Sequence, residues 1–315
     1  MKKRKLGTTG FDIAPLVLGG NVFGWTLDET ASFRVLDGFV GADGNLIDTA
    51  DVYSRWVPGN SGGESETLIG RWMKARGNRS QVLIATKVGI EMGPGKKGLA
   101  KARIYAAVDE SLRRLQTDHI DLYQSHVDDL ETPQLETLEA YAELVKSGKV
   151  RAIGASQFSA ERLREALTIA NQHGLPAYQT LQPEYNLHDR TKFETDYLAL
   201  CQEHGLGVIC YYGLASGFLS GKYRSESDFS KSPRGARMKA YLTDRGGRIL
   251  AALDDVGARF KVRPATVALA WLMARPGITA PIASATSLDQ LAELTAAAEL
   301  VLDAGAMEQL DQASA

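Results

Sequence analysis

The chain has 315 residues, 44% of them apolar, and a formal net charge of −2. That apolar share is enough for a large buried core, and the near-neutral balance argues against a polyanion-binding surface, so nucleic acid is not an expected partner. Cys201 and Cys210 stand in apolar surroundings without metal-ligand spacing and read as buried free thiols of a cytoplasmic protein. The basic start, MKKRKLGTTGFD, turns polar where a secretory signal would turn apolar, and no apolar run is long enough for a membrane span.

In chain order, RKLGTTGFDI has a turn signal between two short extended arms and reads as a hairpin. A strand at 15–19 (PLVLG) precedes a helix over 30–41, and a strand at 45–50 (NLIDTA) a helix over 65–77. Strands at 81–87, 120–126, 150–156, 178–184, 207–212 and 280–285 follow, with helices over 100–115, 133–147, 159–173, 190–205, 246–275 and 287–299. A last helical pattern runs from about 303 to 312. Strict alternation implies parallel strands joined by crossover helices, and several strands are apolar on both sides, as in a sheet covered on both faces. Eight such units predict an α/β fold, a closed (β/α)8 TIM barrel forming one domain over 1–315, with the hairpin capping its bottom.

Two connections exceed what a barrel needs, 88–99 and 213–245, and both follow strand C-termini, the catalytic face of such barrels. The first contains GPGKKG, Gly93 to Gly98, which fits G-x-G-x-x-G. The strand ends at Gly89, Pro94 stiffens the loop, and the expected acid at the end of the next strand is missing, so the reading is a lid loop with solvated Lys96 and Lys97, not a dinucleotide cradle.

Polar residues cluster at successive strand ends: Asp48 in LIDTADVY with Tyr53 five residues later, Lys87 ending LIATK, and His126 ending DLYQSH. Each alone has a structural reading, as a turn cap, an ion pair, a surface aromatic or a core histidine. At the mouth of one barrel they form an acid–base set. A phenol ordinarily titrates near 10, too high for efficient proton exchange at neutrality, and an adjacent ammonium favours the phenolate. Lys87 is expected to lower Tyr53 in this way, Asp48 to hold Lys87, and His126 to orient a carbonyl oxygen. Hydride must come from a carrier such as nicotinamide, because no side chain supplies it.

At this point the sequence resembles the aldo-keto reductase superfamily, through NLIDTADVYS, GESETLIG, LIATKVG, SLRRLQTDHIDLYQSH, SGKVRAIGAS, LQPEYNL and LSGKY. The resemblance covers nearly the whole chain and implies Tyr53 as general acid/base with Asp48, Lys87 and His126 around it. It implies NADPH/NADP+ laid across the barrel mouth. Gly19, Gly20 and Asn21 match the nicotinamide end, while Ser156, Gln157 and Gln182 match the residues that hold its carboxamide, with Gln157 in place of the usual Asn. Tyr211 matches the stacking aromatic. Gly213, Leu214, Ser216 and Gly217 with Lys222 match the loop around the pyrophosphate, where backbone amides and a cation suit phosphate. At the adenosine end Ser284, Thr286, Gln290 and Glu293 match, but SATSLDQLAEL lacks the usual cation and carries Leu294 in place of an Asn. Arg234 in the long loop is the candidate to meet a 2′-phosphate, and NADH stays open as the alternative.

Trp25, Trp56 and Phe218 read as aromatics facing the mouth and, with His126, as the substrate pocket. Few charges there suit small aldehydes, ketones, sugars or aromatic carbonyls. The reading is therefore reversible NADPH-dependent carbonyl reduction on a small-molecule substrate, with no metal. Alternatives are a nicotinamide-binding redox sensor with little turnover, as in the family's potassium-channel β subunits, and an NAD-dependent sugar or alcohol dehydrogenase. A metal-dependent hydrolase would need paired strand-end histidines, and no H-x-H occurs. Oligomeric state is not legible.

Overall fold

The computed structural model describes residues 1–232 and 235–315. Arg234, the expected phosphate cation, lies outside the described residues. Strands β1 (Arg4–Lys5) and β2 (Asp12–Ile13) form an antiparallel hairpin with Arg4 opposite Ile13. The other eight close into a parallel barrel: β3 (Val17–Gly19), β4 (Leu46–Asp48), β5 (Leu83–Val88), β6 (Ile120–Ser125), β7 (Val150–Ser156), β8 (Thr180–Gln182), β9 (Gly207–Cys210) and β10 (Ala280–Ala283). Neighbours follow chain order, and β10 returns to pair with β3 and β9. The chain is a (β/α)8 TIM barrel.

Helices α1 (Glu29–Gly41), α2 (Glu64–Arg76), α3 (Lys101–Leu115), α4 (Gln134–Lys146), α5 (Ala160–His173) and α6 (Leu198–Glu203) cross between strands, α6 extending a π-helical turn at Phe193–Tyr197. The expected single helix over 246–275 is two, α7 (Asp244–Phe260) and α8 (Pro264–Ala274). Lys261 adopts a left-handed φ of 58°, and Pro264, which has no N–H to donate, starts the next helix instead of continuing the last. Helices α9 (Leu288–Ala296) and α10 (Ala304–Ser314) complete the chain. Side-chain caps fix several starts: Asp28, Ser159, Thr243, Ser287 and Asp303 each accept from a backbone N–H in the first turn. No helix among the described residues is long and apolar enough to cross a membrane.

The lower barrel interior is a dry layer. Val17, Leu46, Ala85, Leu122, Ala152, Ile209 and Ile282 pack together, and Leu6, Phe11 and Ile13 of the hairpin close it from below. Gly7 allows this closure, since a Cβ there would lie 2.3 Å from the amide of Gly207. Strand side chains alternate, so residues two positions further along point inward one layer higher, at the open end. Those residues include Asp48, Lys87 and Gln124, placed over Leu46, Ala85 and Leu122 by the parallel register. The apolar floor thus leaves the polar layer facing only the mouth.

Candidate active site

Lys87 is fully buried, and its ammonium donates to Asp48 Oδ2 at 2.7 Å, to the Thr49 carbonyl at 2.8 Å and to Tyr53 Oη at 2.8 Å. These three bonds exhaust an ammonium's donors. Asp48 Oδ1 accepts from Gln182 Nε2 at 2.9 Å, which ties β8 to the same carboxylate. Tyr53 Oη thus accepts from Lys87 and turns its own proton toward Asp48 Oδ2 at a long 3.2 Å. The His126 ring stands 6.0 Å from the Tyr53 ring, centroid to centroid, and edge-on. The four residues expected at the mouth are brought together there.

Their electrostatics differ from the expectation in one respect. Burial, and then the negative charge of Asp48, push the Tyr53 phenol well above its ordinary value of 10.0. Tyr53 is therefore a firmly protonated group, and the expected lowering by Lys87 is outweighed by desolvation. Burial also lowers the Lys87 ammonium, while Asp48, Asp51 and Glu66 pull it back up. Burial and the Lys87 charge hold His126 well below 6.5, so its imidazole is neutral. His126 Nδ1 is buried without a partner among the described residues.

The residues expected to meet a nicotinamide surround this set. A Cβ on Gly19 would lie 2.5 Å from Ser284 Oγ, and one on Gly20 would lie 2.9 Å from the Asp48 carbonyl, so this turn passes close over the mouth only as glycine. Ser65 Oγ donates to the Gly20 carbonyl at 2.8 Å and fixes the turn. Ser156 Oγ donates to the Gln182 carbonyl at 2.9 Å. Gln157 has a left-handed φ of 55°, and its amide donates to the His126 carbonyl at 3.0 Å, so the longer side chain engages the catalytic strand end. Tyr211 is half-buried, edge-on to Tyr212 at 5.0 Å.

In the long loop, Ala215, Ser216 and Gly217 take successive left-handed φ values of 47°, 57° and 104°. The turn is tightly self-bonded, with the Ala215 amide donating to the Tyr212 carbonyl at 2.6 Å and the Gly217 amide to the Leu214 carbonyl at 2.8 Å. Leu214 immediately precedes it, with Gly213 packed under α8 and β10, and the Lys222 ammonium reaches to within 3.7 Å of a Cβ built on Gly217. The Lys222 ammonium beside the turn is the group here that suits a phosphate.

The remaining expected contacts are redistributed. Ser284, expected at a phosphate, donates instead to Asn21 Oδ1 at 2.6 Å and stitches β10 to the β3 turn. Thr286 donates through both N and Oγ1 to Gln290 Oε1. Glu293 pairs with Arg263 at 3.6 Å, the exposed residue that caps α8. Arg263 thus brings a cation beside this stretch from the junction of α7 and α8, next to Pro264. Trp25 and Trp56 meet edge-on at 5.6 Å, and Trp56 lies 6.1 Å from the Tyr53 ring, half exposed beside it. Phe218 is not a pocket residue, being fully buried and stacked on Tyr241 at 5.3 Å. Lys96 is not simply solvated, since it pairs with Glu110 at 2.9 Å and anchors the GPGKKG loop to α3.

A model of the aldo/keto reductase family matches residues 15–315. The chain belongs to the aldo/keto reductase family. Among this reductase's relatives, the uncharacterized oxidoreductase YrpG of Bacillus subtilis is 35% identical over 99% of the chain and 95% of the relative. The aldo-keto reductase YhdN of the same organism is 31% identical over 94% and 88%. A probable voltage-gated potassium channel subunit beta of Oryza sativa is 31% identical over 96% and 92%. The chain is thus an oxidoreductase of this family.

Proposed function

We propose that this reductase converts aldehydes and ketones to alcohols, reversibly, with NADPH as the preferred partner and Tyr53 as proton donor, and that residues 1–315 work as one domain. The observation that carries the reading is the Tyr53 hydroxyl, which accepts from Lys87 at 2.8 Å and holds its proton only by a long bond to Asp48. A carbonyl oxygen entering the mouth replaces Asp48 as acceptor of that proton at little cost, because the displaced bond is weak. Lys87 stays bonded to Tyr53 Oη and stabilises the phenolate as the proton leaves, and Asp48 and the Thr49 carbonyl keep the ammonium in place. Neutral His126 offers its free ring edge to the same oxygen and orients it without adding a second positive charge.

A bound nicotinamide supplies the hydride. Toward it, Gly19, Gly20, Asn21, Ser156, Gln157, Gln182 and Tyr211 hold the ring end, and Lys222 beside the 213–217 turn holds the pyrophosphate. Arg263, beside Glu293, favours a 2′-phosphate and hence NADPH over NADH. Trp25 and Trp56 give the entrance flat apolar walls, which suit small aromatic or aliphatic carbonyls.

The test is NADPH oxidation at 340 nm by purified protein with 4-nitrobenzaldehyde, compared with Tyr53→Phe. Turnover that disappears in the variant supports the reading. The potassium-channel relatives favour a second reading, a cofactor-binding sensor, which tight NADPH binding without turnover of any carbonyl in a broad panel would support.

A further inference from the structure

Behind the candidate active site lies a second buried charged layer with no part in the proton transfer above. Residues paired in parallel register share a face, so Thr86 and Tyr123 both point outward from the barrel, away from the mouth. The space they face, beneath α2 and α3, holds four charged side chains. Glu66 is fully buried, accepting from Thr86 Oγ1 at 2.5 Å and from Arg114 Nε at 2.6 Å. Gly63 makes room for that arginine, because a Cβ there would lie 2.4 Å from Arg114 Cδ. Asp51, 1% exposed, accepts from Arg103 Nη2 at 3.0 Å. The Asp51 amide donates to the Lys87 carbonyl at 3.3 Å, so the pair is joined directly to the strand that carries the lysine.

This layer is incompletely bonded. Among the described residues Asp51 Oδ1, Arg103 Nε, Arg103 Nη1 and Tyr123 Oη are buried without a partner. One acceptor, two donors and one hydroxyl are complementary in kind, and Asp51 and Arg103 both act electrostatically on the Tyr123 phenol, so they share one region. Unpaired buried groups of this sort cost enough that native proteins satisfy them, and a water with two to four polar partners is the usual means. The layer also acts on the tetrad, since Asp51 and Glu66 both favour the charged form of Lys87 against its burial.

We propose that Asp51, Arg103 and Tyr123 bind ordered water in a closed chamber behind β5, and that Asp51 is a positioning residue for the Lys87–Tyr53 pair. The inference rests on the reductase reading. The groups facing Asp51 are Arg103 and Arg114 from α3, Glu66 from α2, Lys87 from β5, Tyr123 from β6 and Tyr141 from α4. Burial, and then the nearby Glu66 charge, raise the Asp51 carboxyl to about 7, so its charge is fully present only on the alkaline side of neutrality, where alcohol oxidation is measured. Removing the Asp51 charge leaves Arg103 uncompensated and Lys87 less supported, and any group that titrates at the mouth then loses its proton at lower pH. A unit charge acting at about 10 Å through an effective dielectric of about 20 shifts such a group by on the order of one pH unit.

The experiment compares wild type with Asp51→Asn, which keeps the side-chain shape. The pH profiles of kcat and of kcat/KM for alcohol oxidation are measured together with the thermal midpoint and the NADPH dissociation constant. A high-resolution crystal structure of the wild-type protein is examined for solvent bonded to Asp51 Oδ1. The expected result is a profile displaced toward lower pH by about one unit, so that kcat for alcohol oxidation at a fixed pH on the rising limb is raised about tenfold. NADPH affinity should stay within about twofold, and water should bridge Asp51 to Arg103. A lowered midpoint with an unmoved profile makes Asp51 merely structural and overturns the proposal. A dry chamber in an enzyme that turns over also overturns it, and spares the reductase reading. A wild-type protein that turns over no carbonyl defeats the reductase reading itself, whatever the chamber holds.

Discussion

Replacing Lys87 by Met removes the three bonds of its ammonium and leaves the length of the side chain. Asp48 then loses its cation while it remains about 2% exposed. Breaking a buried ion pair by removing one partner typically costs about 3–5 kcal/mol. Here the loss falls toward the lower end, because Gln182 Nε2 at 2.9 Å still donates to Asp48 Oδ1. Catalysis suffers separately. Tyr53 loses the donor that supports its phenolate, and burial already holds the phenol well above its ordinary value. General acid–base assistance contributes about 10²–10⁴-fold, or about 3–5 kcal/mol of barrier, and most of it is lost. Stability and rate separate in the double variant Lys87→Met/Asp48→Asn, where no charge is left unpaired. Its thermal midpoint should recover most of the single variant's loss while turnover of NADPH with 4-nitrobenzaldehyde stays depressed. Thermal unfolding followed by circular dichroism and single-turnover absorbance at 340 nm measure the two. Turnover restored with the midpoint, or a single variant as fast as wild type, would refute the division of roles between Lys87 and Tyr53.

Other consequences follow from the same geometry. His126, held neutral well below 6.5, takes up a proton on unfolding, so it contributes stability that is present above about pH 6.5 and lost as pH falls. The gap in unfolding free energy between wild type and His126→Asn should therefore narrow on acidification, by up to about 1.4 kcal/mol per pH unit in urea melts. Arg263→Ala should raise KM for NADPH about tenfold and leave KM for NADH within about twofold, because one charge-assisted phosphate contact is worth about 1.5 kcal/mol. Lys222→Ala should weaken both cofactors alike, as measured by quenching of protein fluorescence, since its ammonium is the group beside the turn that suits the pyrophosphate they share.

Much of this was legible because a barrel imposes period and direction together. Several strands are apolar on both faces, so the runs stood out, and their common direction placed the strand-end residues Asp48, Lys87 and His126 at one mouth. Strand ends were read too long, as in 178–184 against Thr180–Gln182, because Pro183 brings no N–H to the ladder and pairing resumes only at an isolated Glu184–Tyr211 bridge. The 246–275 pattern concealed a break that Pro264 announced. Burial was the quantity hardest to infer. Nothing in DTADVY marks Asp51 as enclosed, and the direction of the Tyr53 shift depends on desolvation, which composition does not report. Arg263 escaped notice for a related reason, since it meets Glu293 from a different helix.

The most direct test of the central claim is a single-turnover experiment with NADPH-loaded protein and 4-nitrobenzaldehyde, following absorbance at 340 nm in wild type and in Tyr53→Phe, with cofactor binding checked by fluorescence in both. The account predicts equal binding, oxidation of the bound cofactor and alcohol product in wild type, and a rate at least about 10²-fold slower in the variant. Equal rates in the two proteins would contradict it.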